Sequence, residues 1–388
     1  MSRGIWLLLA LLLPVSVALG QNNQTQTDQS RNQTQTDQSQ TSQTQTNQSQ
    51  TPQPQLQPRP AEPEKVPPAP NRLIQINVQV GDKSGQPTRG LQKEDFTVLD
   101  DKRPQNIVSF HAVEAGATGN PTVEVVLVID AVNVGFQTVS YERSELKRFL
   151  LQNAGKLAQP TSLVFFTDRG AEMQNGFSRD GNALAALYDK YETGIRTINR
   201  SQGIYGAGDR FGMSLKTLTE LVSYEKARPG RKLMVWFSPG WPLLTGPAIE
   251  LTRKDQEHFF TSIVDFSTQL RLADITLYSV DPLGLADAAG VRISYYEEFL
   301  KGVTKPERAQ AANLSLQVLA TQSGGRVLNS SNDLTQEIAD CVSDAQAFYV
   351  LSFESARADH PNEYHAIEVK VDKPGDKVRA RTGYYAQP

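Results

Sequence analysis

The sequence predicts a doubly wound α/β domain with a mostly parallel sheet, inserted in a small β-sandwich built from N- and C-terminal strands. Two observations carry this. In the middle of the chain, continuous apolar runs alternate with amphipathic helical stretches, the pattern of a parallel sheet covered on both faces. At each end lie three short strand segments with one apolar face, too few for a stable sheet unless the two groups pack together.

Composition narrows the function. Lysine plus arginine total 39 against 42 for aspartate plus glutamate, a net charge of −3, so no basic field exists to gather phosphates and nucleic acid is excluded as a partner. The single cysteine, Cys341, excludes an intramolecular disulfide framework, a cysteine zinc site and an iron–sulfur cluster. It falls at helical spacing with Leu334, Ile338 and Ala345, which predicts a buried structural thiol.

Residues 1–20 read as a signal peptide: Arg3, an apolar run from Ile5 to Leu13, Pro14, and the small-residue ending Ala18-Leu19-Gly20. The run is well short of the ~20 apolar residues that a membrane-spanning helix needs, and no later segment is apolar enough to span. The expected location is therefore outside the cytoplasm, periplasmic or extracellular. Residues 21–70 form the expected tether. A Gln/Thr/Asn/Ser tract has nothing to bury and stays disordered, and the proline-rich stretch from Pro52 to Pro70 favours polyproline II. Asn23, Asn32 and Asn47 lie in glycosylation sequons that fall out of the repeat itself.

Residues 71–118 and 347–388 are assigned to the sandwich. From Leu73 to Val80, Ile74, Ile76, Val78 and Val80 alternate with polar residues, a half-buried strand. Strands at Phe96 to Leu99 and Asn106 to Phe110 flank the turn Asp100-Asp101-Lys102-Arg103-Pro104. At the other end, strands are expected at Ala347 to Phe353, around Ile367, Val369 and Val371, and at Val378 to Arg381.

Residues 119–346 form the α/β domain. Strands are predicted at Val123 to Ile129, Ser162 to Thr167, Lys232 to Phe237, Ile275 to Val280 and Arg326 to Leu328. Helices are predicted at Ser140 to Leu157, Asn182 to Tyr191, Asp209 to Arg228, Arg253 to Leu272, Ala309 to Gln322 and Leu334 to Ala345.

In open α/β sheets, binding occurs at the carboxyl ends of the strands. The first strand ends in Asp130-Ala131-Val132-Asn133-Val134, where an apolar run suddenly meets a carboxylate. Here the chain resembles the von Willebrand factor A domain, whose first strand ends in Asp-x-Ser-x-Ser, and more closely the VWFA-related proteins abundant in acidobacteria. Leu91 to Asp101, with its Glu-Asp-Phe-Thr-Val text, and the trailing Arg381-Thr382-Gly383-Tyr384-Tyr385 extend the resemblance over nearly all of the folded chain. It implies an A-type fold and raises the question of magnesium, held in family members by one Asp and two Ser of the first loop, a Thr from a second loop and an Asp after the fourth strand. Asp130 matches the first position. Val132 and Val134 replace the serines, no threonine occurs in Gly206-Ala207-Gly208-Asp209, and Ser238-Pro239-Gly240 stands where the last Asp belongs. With most oxygen ligands missing, no metal and no cofactor is expected.

The same edge offers a metal-free recognition surface: Asp130, Asn133, Asp168, Asp209, Ser238, Asp281 and an exposed Trp241 as aromatic anchor. The competing reading makes these aspartates caps of helices and turns, with Trp241 covering the core. Other signals point away from catalysis. Gly206 to Gly212 misses the dinucleotide spacing, and Asp209 reads as a helix N-cap. His111, His258, His360 and His365 are scattered, no Gly-x-Ser-x-Gly occurs, and the pairs Asp100-Asp101 and Glu297-Glu298 read as solvated. The expected function is a secreted, non-catalytic module that binds another protein. The alternatives are a structural envelope component and an enzyme using Asp130 or Asp168 as acid or base.

Overall fold

Strand β1 (Leu73–Gly81) keeps the alternation read from the sequence, with Ile74, Ile76, Val78 and Val80 buried. It opens a computed structural model that describes residues 72–83, 85–114, 122–192, 204–245, 249–282, 284 and 295–388. These all lie in one compact unit, Pro68–Pro388. The expected signal peptide and tether lie outside the described residues.

After β1 come β2 (Phe96–Asp100), β3 (Arg103–Gln105) and β4 (Ile107–Glu114). Then the chain changes character. In β5 (Glu124–Asp130) every residue after the first is buried, as a strand covered on both faces must be. Helix α1 (Phe136–Leu150) follows and stops earlier than its periodicity predicts. Asn153 and Ala154 adopt φ of 50° and 58° in the short turn α2 (Gln152–Gly155), which reverses the chain directly into β6 (Lys156–Thr167), a strand twice as long as expected. Two short antiparallel strands, β7 (Gly170–Met173) and β8 (Ser178–Asp180), were not anticipated. They pair with β6 and blunt the sheet edge.

Next are α3 (Gly181–Glu192), α4 (Ile204–Lys226) and β9 (Lys232–Phe237). Helix α5 (Arg253–Leu272) has the predicted bounds, fixed by a capping box between Thr252 and Asp255. Strand β10 (Ile275–Val280) is fully buried. The helix expected from Ala309 divides into a 3-10 turn, Ala311–Leu314, and α6 (Leu316–Gln322), because Ser315 takes an extended conformation between them. Strand β11 (Val327–Leu328) and α7 (Leu334–Ser343), capped by Asp333, lead into β12 (Ala347–Glu354), β13 (Glu363–Val371), β14 (Lys377–Arg379) and β15 (Gly383–Ala386).

Three sheets result. The seven-stranded sheet has the order β11-β10-β9-β5-β6-β7, with β8 also on β6, and its core strands are parallel. One face packs Val126, Val128, Met234 and Trp236 against α4, α5 and α6. The other packs Leu127, Ile129, Val235 and Phe237 against α1, α3 and α7, and encloses Cys341. The two antiparallel sheets, β14-β1-β12-β4 and β15-β13-β2-β3, mix strands from both ends of the chain and share one core through Ile76, Val78, Phe96, Leu351, Phe353 and Tyr384.

Buried polar contacts join the sheets. Asp344 Oδ2 accepts from Tyr278 Oη and from Arg379 Nη2, both at 2.6 Å, and Asn77 Nδ2 donates to Asp274 Oδ1 at 2.6 Å. Arg231, fully buried, donates to the Asp344 carbonyl and lies over the Phe348 ring, 4.3 Å from its centroid.

Candidate functional site

The chain leaves β5 toward β6 on one side, while β9 pairs on the other, so the sheet order reverses between β5 and β9. A crevice at the carboxyl ends of such strands is where open α/β sheets bind. Asp130 ends β5 and Ser238 follows β9.

Asp130 is fully buried, and its neighbours explain how. Oδ1 accepts the backbone N–H groups of Val132 and Asn133, both at 2.9 Å. Oδ2 accepts Asn133 Nδ2 at 2.8 Å and Trp236 Nε1 at 2.9 Å. Burial raises the carboxyl above its usual range, and these four hydrogen bonds pull it back by favouring the charged form. The Asn133 amide also donates to Ser214 Oγ at 2.9 Å, and that hydroxyl donates to the Arg210 carbonyl, so the loop after β5 is tied to α4.

Below this network, α1 presents Glu142, fully buried, with neither carboxyl oxygen partnered among the described residues. Burial, with the charge of Asp130 adding to it, holds this acid well above the usual range. The Tyr188 hydroxyl from α3 is also buried without a partner, and burial followed by the Glu142 charge raises it. Sequence reasoning missed Glu142, Ser214 and Trp236. The signal for Glu142 was its place four residues before Leu146, on the apolar stripe of α1.

The other predicted edge residues separate into rim and support. Asp168 is exposed in the turn between β6 and β7, Asn133 is half-buried, and Asp209 is exposed. The N-cap reading of Asp209 is corrected: α4 begins at Ile204 and runs through Gly206 and Gly208, so Asp209 stands in its second turn. Ser238 is buried; its N–H donates to the Val280 carbonyl at 2.8 Å and its Oγ accepts from Gly240 N at 3.3 Å. Asp281 is nearly buried, its N–H on the Leu328 carbonyl.

Trp241 is not the exposed anchor expected. It is 2% exposed and meets Trp236 edge-on, with ring centroids 5.1 Å apart. Gly240, at φ 104°, turns the chain back over the sheet, and Gln317 of α6 donates to the Pro239 carbonyl at 2.9 Å. Trp241 is thus part of the hydrophobic core beside Trp236.

The magnesium ion of the A-type family does not fit these residues. A hard cation needs oxygen ligands, whereas N–H donors face both Asp130 oxygens and the side chains of Val132 and Val134 are buried hydrocarbon.

A second cluster corrects two expectations. Asp100 is buried rather than solvated, and His365 is not isolated: its Nδ1 lies 2.9 Å from Asp100 Oδ1 and 3.7 Å from Asp101 Oδ2. The pairing of β2 with β13 brings together residues far apart in sequence. Among the described residues, these three form the one group of acidic and histidine ligand atoms with metal-like spacing.

No protein-family model matches the chain, and no curated protein matches it. Solved structures similar to it include a variant of the PilB minor pilin from Streptococcus sanguinis, at 12% identity over 60% of this chain and 63% of the pilin, with a TM-score of 0.33. Another is the VWA domain of SpRpn10, at 12% identity over 56% of this chain and 94% of that domain, with a TM-score of 0.26. The pilus adhesin SpaC from Lactobacillus rhamnosus GG is similar at 10% identity over 80% of this chain, with a TM-score of 0.35. The chain spans 63% of the pilin's length and 48% of the adhesin's. Among the described residues, no helix is long and apolar enough to cross a membrane.

Proposed function

We propose that this chain is an exported protein-binding module, with an A-type domain set into the sandwich, that engages a partner protein through the metal-free edge of its seven-stranded sheet. The observation that carries the reading is the state of Asp130. Four N–H groups hold it inside the protein and so fix the loop after β5, which supports reading half-buried Asn133 and exposed Asp168 and Asp209 as the polar rim of this edge. Such preorganisation lowers the ordering cost of association. The apolar run from Ile5 to Leu13 supports export. Use of Asp130 as an acid or base has less support, because both of its oxygens are already engaged and a substrate has no path to a fully buried carboxyl.

The test places a photo-crosslinking residue at Arg169, on the rim, and in a second protein at Lys370, on the sandwich. A partner captured from envelope material through Arg169 and not through Lys370, and lost with Asp168→Ala plus Asp209→Ala, is the expected result. Capture from Lys370 alone, or capture indifferent to both alanines, would overturn the reading.

A further inference from the structure

The cluster around His365 lies in the sandwich, apart from the crevice, and the binding function proposed above does not use it. Asp100 closes β2, Asp101 starts the turn into β3, and His365 stands on β13, whose Ile367 is the backbone partner of Asp100. One ligand atom from each of the three lies within 4.8 Å of the others. A tetrahedral ion with nitrogen and oxygen ligands at about 2.0–2.2 Å sets those ligands roughly 3.3 Å apart. The observed 2.9 and 3.7 Å bracket that spacing.

The rest of the cluster is arranged as support. Asp100 Oδ2 accepts from Tyr384 Oη at 2.8 Å, and Asp101 Oδ1 accepts from the Ala366 N–H at 2.9 Å, so each aspartate keeps its other oxygen toward the imidazole. On the far side of the ring, His365 Nε2 is buried with no hydrogen-bond partner, and Glu363 Oε1 is 3.9 Å from it. With a cation on Nδ1, the far nitrogen Nε2 faces Glu363, as in the carboxylate–histidine–metal arrangement of ligating histidines.

We propose that Asp100, Asp101 and His365 bind a divalent cation of the zinc class, with Glu363 and Tyr384 orienting the ligands. One nitrogen and two carboxylate ligands suit zinc better than magnesium, which keeps to oxygen in octahedral geometry. The exposed side of Asp101 leaves the fourth position to water or to an incoming carboxylate.

The test is zinc chloride titration of the chelator-treated full chain, followed by calorimetry and thermal unfolding, with anomalous diffraction at the zinc edge from soaked crystals. The expected result is one bound equivalent, a raised unfolding temperature and an anomalous peak between His365 and the two aspartates. Asp101→Asn keeps an acceptor for the Ala366 N–H and tolerates the left-handed backbone at this position, so it should fold normally yet bind zinc at least about tenfold more weakly. His365→Gln should abolish binding. Equal binding by Asp101→Asn, a peak elsewhere such as at exposed His360, or no binding by the unmodified chain would each overturn the site. The last would leave the contact of His365 with Asp100 as a hydrogen bond only.

Discussion

The indole N–H of Trp236 donates to Asp130 Oδ2 across 2.9 Å, fastening β9 to β5 at their carboxyl ends. Trp236→Phe keeps an aromatic ring in the core but leaves that oxygen short of a donor, and we expect a loss of about 2 kcal/mol in urea unfolding. Asp130→Asn should cost more, because its amide nitrogen or its single carbonyl must face donors on both sides. A Trp236→Phe protein as stable as the parent would mean that the bond holds nothing.

Glu142 sets a pH dependence whose sign follows from its burial. Its folded-state pKa lies well above the ordinary 4.5, so the folded chain keeps a proton that the unfolded chain has released. This contribution to stability is complete below the unfolded value and is lost as pH rises toward the folded one. Burial pushes Glu225 and Glu337 the same way, each up to about 7, which places their loss between 4.5 and about 7. Glu142→Gln should be more stable than the parent near pH 8 and no different from it near pH 4. Thermal unfolding at the two pH values checks this, and an equal effect at both would refute it.

Asp344 holds the small sheets to the large one. Its carboxylate receives Tyr278 from β10 and Arg379 from β14. Asp344→Ala strands these buried donors and should cost about 3–5 kcal/mol, while Asp344→Asn, which keeps an acceptor, should cost less. Chemical denaturation distinguishes the two.

Asp168 and Asp209 should behave in the opposite way. Both are exposed, and alanine at either position should leave stability within about 0.5 kcal/mol of the parent. A larger change would show that they support the fold and do not belong to the rim.

Much of the architecture was legible because it rests on local periodicity. Strand β1 and helix α5 have the expected texture, one from strict alternation, the other from its amphipathic periodicity. Boundaries failed where backbone conformation decided them. Nothing in Gln152-Asn153-Ala154-Gly155 announces that two non-glycine residues will turn left-handed and convert the end of a predicted helix into the start of β6. At the site, Asp130 stood out as a carboxylate after an apolar run, but its partner Trp236 reads as one more core residue of β9 until pairing sets the two strands side by side. Trp241 misled for a related reason: a tryptophan after Ser-Pro-Gly reads as a loop residue, and only the turn at Gly240 folds it inward. The His365 cluster is a matter of register alone, since Asp101 and His365 are 264 positions apart in the chain and the β2–β13 ladder closes the gap.

The pairing of β1 with β12 also governs how the molecule bears a pull. The ladder runs antiparallel from Leu73 opposite Glu354 to Val78 opposite Tyr349, so the beginnings of the two strands lie at opposite ends of it. Tension entering at Leu73 and leaving through Ala347 acts along the strands and loads every rung at once, as a lap joint does, instead of opening them one by one. In single-molecule stretching, this direction should resist far more force than one that peels β14 from β1, which is held by three residue pairs.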